Sequence, residues 1–124
     1  MRTFSIVLLL IIAIEHLFIA FLEMTANPKK QAKAFGVDVE FLKQADARIS
    51  MANQGIYNAM LAVIIILGQW VFTGTNTIYA NLLFSSFVSV VGFFGGLTVN
   101  QKIYFVQMTP GLIALIISCM SLYM

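Results

Sequence analysis

Four long apolar stretches are the feature that most constrains this chain. They cover residues 4–24, 51–72, 78–99 and 103–123. A helix that crosses a membrane needs roughly 20 mostly apolar residues, and each stretch is about that long. Strands of a membrane barrel would alternate apolar and polar residues, which these stretches do not do. We therefore predict an all-α integral membrane four-helix bundle, and the short second and third links favour an up-down-up-down order.

Composition agrees with a membrane location and excludes other classes. The 124 residues are 60% hydrophobic and 10% charged, whereas a soluble domain carries about 25% charged residues. A disordered chain would be less apolar and more charged. The net charge of +2 is too small for a nucleic-acid surface. We expect a single transmembrane domain over residues 1–124, surrounded by membrane lipids and with no nucleic-acid partner.

One long polar connection, residues 25–50, joins the first two apolar stretches. Gly36 is placed to end a short turn, and Asp38 to cap a brief helix that includes Phe41, Leu42 and Ala45. Two interpretations remain open at this stage. The connection is either a solvated link resting on the membrane interface or a lid over a site that opens on that side.

Basic residues fall unevenly between the two ends of the predicted spans. Six of the seven Lys and Arg residues lie in the first and third links: Lys29, Lys30, Lys33, Lys43, Arg48 and Lys102. Only Arg2 lies at the other end. Because cytoplasmic links carry the excess of Lys and Arg, we predict a multi-pass protein of the cell membrane with both termini outside the cytoplasm.

Polar residues in the first apolar stretch are the first candidates for chemistry. Glu15 lies near its middle, His16 is adjacent, and Glu23 lies near the predicted cytoplasmic end. An acidic residue at the centre of a membrane helix costs ~3 kcal/mol, which favours a functional role over mere spanning. We predict Glu15 as an acid/base group or counter-charge and His16 as a second proton carrier. The alternative is that Glu15 holds neighbouring helices together by hydrogen bonds.

A second polar group opens the second apolar stretch. Asn53, Gln54, Tyr57 and Asn58 share one helical sector, and Arg48 precedes them. Polar groups in hydrocarbon need hydrogen-bond partners, so these side chains either join the first two helices or line a polar chamber. The geometry predicts that Glu15 bonds to Tyr57 or Asn58.

The last two stretches carry small-residue faces. The third stretch has a stripe made of Ser85, Ser89, Gly92 and Gly96, and the fourth has Gly111, Ala114 and Ser118, with Gln107 on the same side. Such faces are typical of helix packing. We also expect a homo-oligomer through the stripe of the third helix, with packing inside one bundle as the alternative. Pro110 is placed to kink the fourth helix and free carbonyls near Gln107.

The motifs resemble those of a family of small bacterial membrane proteins known only as a domain of unknown function. Residues that carry the resemblance are Glu15-His16, Leu22-Glu23-Met24, Asn53-Gln54-Gly55 and Tyr57-Asn58, together with residues 92–98 and 107–115. The layout is distantly similar to that of trimeric four-helix membrane enzymes, the glutathione-using eicosanoid enzymes and the haem-containing styrene oxide isomerases. Arg48 with Asn53 or Asn58 could imitate the arginine and asparagine that those enzymes share. The haem-ligating histidine of the isomerases is missing, since Ser50 stands two residues after Arg48.

These observations favour a membrane protein that binds or converts a small lipophilic or polar molecule in an intramembrane polar pocket. The predicted catalytic groups are Glu15, His16 and Tyr57. The predicted ligand-binding residues are Glu23, Arg48, Asn53, Gln54, Asn58 and Gln107. No set of His and Cys ligands suggests a metal site, and the motifs identify no cofactor or particular ligand. The alternatives are an oligomeric proton-coupled transporter and a helper subunit without chemistry.

Overall fold

The computed structural model describes residues 1–123, and over that range the chain is all-α, as predicted. Its helices are α1 (Arg2–Thr25), α2 (Pro28–Phe35), α3 (Val39–Leu42), α4 (Ala45–Val71), α5 (Thr75–Thr98) and α6 (Thr109–Met120), with a π-helical segment (Tyr104–Met108) leading into α6. By length and composition, α1, α4 and α5 could each cross a membrane. The last apolar helix, Tyr104–Met120, is shorter.

The π-helical segment lies where the sequence predicts a kink. Pro110 has no N–H, so it cannot make the backbone hydrogen bond that a regular helix requires at that position. The backbone N–H of Thr109 instead bonds to the carbonyl of Tyr104. The hydroxyl of Thr109 donates to the same carbonyl at 2.7 Å. The proline therefore widens the turn before α6 rather than breaking the helix.

The polar connection folds into two short helices. Asn27 caps α2 by accepting a hydrogen bond from the N–H of Lys30 at 2.9 Å. Gly36 ends α2 with φ of 72°, a left-handed conformation that suits glycine. Asp38 caps α3, accepting from the N–H of Phe41 at 2.8 Å. Helix α4 then starts at Ala45, earlier than the predicted residue 51, because its first turns are polar and apolar content marks only the later part.

Helices α1 and α4 pack against each other in opposite directions. The carboxylate of Glu23, near the end of α1, bonds to Asn58 in the first half of α4. The apolar core lies toward the start of α1 and the end of α4, and α5 and α6 also contribute to it. Its fully buried members are Leu9, Ile12, Ala13, Ala62, Ile65, Val88 and Ala114.

The small-residue stripe of α5 faces α6 and the π-helical segment of the same chain. A Cβ atom on Gly92 would lie 2.6 Å from the backbone nitrogen of Met108, and Gly96 packs against the ring of Tyr104. Gly111 of α6 in turn approaches Ser89. Glycine is needed at these points because the two backbones are so close. The stripe therefore packs within one chain, as the alternative interpretation of this face predicted.

Helices α4 and α5 touch each other much less than the pairs α1–α4 and α5–α6 do. The close approach near the α4–α5 link occurs at Gly68, which lies under the ring of Phe84. Away from that point the two helices leave a groove between them. This groove holds a cavity that is larger than the one between α5 and α6.

Candidate functional site

The groove between α4 and α5 encloses a cavity of about 560 Å³. That volume is in the range of small-molecule sites, roughly 300–1,000 Å³. The polar side chains of its lining come from α1 and the first half of α4, and the rest of the wall is apolar. The lining residues are His16, Gln54, Tyr57, Asn58, Met60, Leu61, Ile64, Leu83, Phe84, Phe87, Val88 and Val91. The cavity is therefore amphipathic, since its mostly apolar wall carries four polar side chains.

His16 is the polar group that α1 contributes to the cavity. Its side chain is only 3% exposed, and its Nδ1 lies 2.8 Å from the carbonyl oxygen of Ile12. A carbonyl oxygen can only accept, so Nδ1 carries the proton in this contact. In the uncharged ring, Nε2 is then a hydrogen-bond acceptor. The structure thus supplies the cavity with an imidazole whose tautomer is fixed by its own helix.

Asn58 is a second polar group of the cavity, contributed by α4, and a carboxylate on α1 orients it. Its Nδ2 donates to Oε2 of Glu23 at 2.7 Å, and Glu23 is only 7% exposed. The depth of Glu23 along its apolar stretch predicts instead a partner close to Asn53 or Arg48. The difference arises at Gly55, where α4 approaches α1 so closely that an added Cβ would lie 3.2 Å from the carbonyl oxygen of Ala20. This contact fixes the register that places Glu23 opposite Asn58.

Glu15 does not make the hydrogen bond predicted for it. Its Oε1 atom is buried without a hydrogen-bond partner, and the residue does not line the cavity. Tyr57, one of the two expected partners, lines the cavity but is 66% exposed, and the Nδ2 of Asn58 is bonded to Glu23. The prediction of a Glu15 bond to Tyr57 or Asn58 is therefore wrong.

Arg48 lies outside the cavity and holds the end of α1. Its Nη2 donates to the carbonyl of Ala26 at 3.0 Å, and its Nη1 donates to Oε1 of Gln31 at 2.5 Å. The Nε2 of Gln31 donates to the carbonyls of Leu22 (3.0 Å) and Glu23 (2.8 Å). The last carbonyls of a helix lack donors within it. Gln31 gives the carbonyl of Glu23 a donor and gives that of Leu22 a second one beside the N–H of Ala26. Arg48 binds the carbonyl of Ala26, the residue after α1, so the contacts of Arg48 are structural.

The two remaining predicted residues also lie away from the cavity. Asn53 is exposed on α4 and does not line the groove. Gln107 belongs to the π-helical segment, whose backbone packs against Gly92. No residue of the 25–50 connection lines this cavity, so the lid interpretation has no counterpart at the groove. Among the predicted site residues, the structure brings together His16, Gln54, Tyr57 and Asn58.

Comparison with known proteins places the chain in a family. The profile of the family described as "Protein of unknown function (DUF1304)" matches residues 10–119. The chain belongs to the DUF1304 family. This confirms the resemblance to a family of unknown function, and the matched range includes every residue that lines the groove.

A curated relative gives the same assignment. The chain is 30% identical over 119 residues to a protein of Lactococcus lactis subsp. lactis (strain IL1403) called "Uncharacterized protein YpaA". The alignment covers 95% of this chain and 98% of the relative. No solved structure matches the chain. The function of this DUF1304 protein therefore has to be inferred from the geometry of its own groove.

Sequence reasoning missed a second buried polar network near the chain termini. Ser5 of α1 bonds to Ser118 of α6 at 2.6 Å and to Asn81 of α5 at 3.1 Å. Asn81 in turn accepts from Gln69 of α4 at 3.0 Å. Asn81 and Gln69 each interrupt an apolar stretch, and this sequence feature could have been used to predict the network. The network joins four helices and lies apart from the groove.

Proposed function

We propose that this chain is a four-helix, up-down-up-down membrane bundle that binds a small amphipathic molecule in the groove between α4 and α5. The observation that carries the proposal is the cavity itself, with its apolar walls and four polar side chains from α1 and the first half of α4. Lining residues run from Gln54 to Ile64 along α4, which at 1.5 Å per residue is about 15 Å. That length suits an alkyl or aryl body with one polar group.

His16 and Tyr57 are the groups that would act on a bound molecule. The Nε2 of His16 can accept a proton or a hydrogen bond, and the hydroxyl of Tyr57 can donate or accept one. Binding needs only these contacts. Conversion of the ligand would use His16 as a base, a role that sequence reasoning gave first to Glu15.

Two other functions use the same features differently. A proton-coupled transporter would carry the amphipathic molecule from the groove across the membrane, with His16 or Glu15 exchanging the proton. A helper subunit would use its polar residues only to join helices, as Glu23 and Asn58 do. Binding is favoured over the helper role because His16, Gln54 and Tyr57 line a cavity without forming hydrogen bonds to one another.

A groove-filling variant tests the proposal. In Val91→Trp the indole would enter the cavity from α5, whereas Val71→Trp places the same side chain at an exposed position outside it. Protein purified in mild detergent would be analysed by native mass spectrometry and by solvent extraction for co-purifying small molecules. We expect a stoichiometric adduct in the unmodified protein and in Val71→Trp, and its loss in Val91→Trp. An adduct that persists in Val91→Trp would contradict the proposal.

We also propose that both termini lie outside the cytoplasm, which the uneven distribution of Lys and Arg supports. Single cysteines at Ala32 and Thr75, in a Cys119→Ser background, would be labelled in intact cells with an impermeant thiol reagent. We expect labelling at Thr75 and protection at Ala32. The reverse pattern would overturn this orientation.

A homo-oligomer remains a prediction. Because Gly92 and Gly96 of α5 pack against Met108 and Tyr104 of the same chain, an oligomer would have to use another face. Native mass spectrometry of the protein in nanodiscs would test this, and a monomer there would contradict the prediction.

A further inference from the structure

We infer that the groove selects lipophilic amines in their protonated, cationic form. The inference rests on the proposed function and adds the chemical class of the ligand. It is carried by three features of the groove: hydrogen-bond acceptors on His16 and Asn58, a carboxylate behind Asn58, and the aromatic ring of Tyr57.

Two polar groups of the cavity, the buried His16 and the half-buried Asn58, present acceptors to a ligand. The Nδ1 of His16 is used on the carbonyl of Ile12, which leaves Nε2 of the uncharged ring as an acceptor. The Nδ2 of Asn58 donates to Glu23, which leaves the Oδ1 oxygen of Asn58 free to accept. Gln54 and Tyr57 can each donate or accept, so they do not discriminate. A ligand with several N–H donors matches this arrangement.

A carboxyl group without a cationic partner lies behind Asn58. Glu23 is buried next to Asn58. Within the described residues the ion pair found joins Lys43 to Glu40 in the polar connection, so no Lys or Arg lies within ion-pair distance of Glu23. Arg48, the basic residue of α4, donates to Gln31 and to the carbonyl of Ala26. A cationic ligand beside Asn58 would favour the ionised form of the Glu23 carboxyl group, whereas an anionic ligand would disfavour it.

The walls add a further preference for a cation. The ring of Tyr57, adjacent to Asn58 in the sequence, lines the same cavity, and aromatic faces attract ammonium groups within about 6 Å. Apolar side chains of α4 and α5, such as Phe84, Ile64 and Val91, surround the rest of the space. The groove therefore offers an ammonium group acceptors and one aromatic face, and offers its hydrocarbon body an apolar surface.

A series of equal chain length tests the inference. Dodecylamine, dodecanol and dodecanoate would be titrated by calorimetry into the protein in phosphatidylcholine nanodiscs at neutral pH, with the heat from empty nanodiscs subtracted. Dodecylamine is protonated there, as a lysine side chain is. We expect the Kd of dodecylamine to be lower than that of the other two by a factor of about ten or more, the effect of one charge-assisted hydrogen bond.

Two matched variants identify the source of the preference. Glu23→Gln keeps an oxygen that accepts from Asn58 but removes the charge, and we expect it to weaken dodecylamine binding about tenfold while leaving dodecanol unchanged. Glu40→Gln removes the same charge from the exposed polar connection and should change neither. If circular dichroism and size exclusion show that Glu23→Gln does not fold, His16→Phe is measured in its place. The His16→Phe variant keeps an aromatic ring and removes the acceptor.

The possible outcomes separate the inference from the proposed function. Equal binding of all three compounds, abolished by Val91→Trp, would overturn the selection of cations and leave the groove as a ligand site. Tighter binding of dodecanoate would do the same. Heat no greater than that of empty nanodiscs for every compound would refute both the inference and the proposed function.

Discussion

Gln31 gives the sharpest test of how the polar connection stabilises the helices. This side chain is fully buried, donates to the carbonyls of Leu22 and Glu23, and accepts from Arg48. Gln31→Leu would remove two neutral hydrogen bonds, each contributing about 1 kcal/mol, and one charge-assisted bond contributing roughly 1.5–3 kcal/mol. We therefore expect the free energy of unfolding to fall by about 3.5–5 kcal/mol, less any gain from the apolar side chain.

The assay is reversible unfolding by SDS in mixed micelles, followed by far-UV circular dichroism. Gln31→Glu should lose about 2 kcal/mol, because it keeps an acceptor for Arg48 and loses both donors. Gln44→Leu is the control, since Gln44 precedes α4 without a side-chain cap and should change stability by less than about 0.5 kcal/mol. A loss in Gln31→Leu no greater than that of Gln44→Leu would refute this account of the α1 end.

Two further changes test the interior of the helix packing. Gly92→Ala should lower the free energy of unfolding by about 1–3 kcal/mol, because its Cβ would meet the backbone of Met108; a shift in oligomeric state without a loss of stability would contradict the intrachain packing. Glu15→Leu should raise resistance to SDS, because it removes a buried carboxylate oxygen that has no hydrogen-bond partner and an acidic group that costs ~3 kcal/mol in a membrane helix. A marked destabilisation would mean that Glu15 has a partner, and both variants are measured by the same SDS titration.

Part of the candidate site could be predicted from the sequence because its signals are local. A histidine within an apolar stretch, and amides at the start of another, stand out in the printed sequence, and His16, Gln54 and Asn58 do line the groove. The pairing of these residues could not be predicted in the same way. Whether Glu15 or Glu23 meets Asn58 depends on the axial register of two helices, which Gly55 fixes by allowing their close approach.

The sequence alone predicted the helical class and the approximate positions of the long apolar helices. It also predicted the caps at Gly36 and Asp38 and the irregular turn before Pro110. Each depends on a few neighbouring residues: apolar runs, side chains that accept from nearby N–H groups, and a missing N–H. The tertiary structure decided where contacts between distant residues occur. It assigned Arg48 to the end of α1, turned the stripe of α5 toward α6, and left α4 and α5 far enough apart to form the groove. Those outcomes depend on how helices far apart in the chain fit against one another, which no single stretch of sequence specifies.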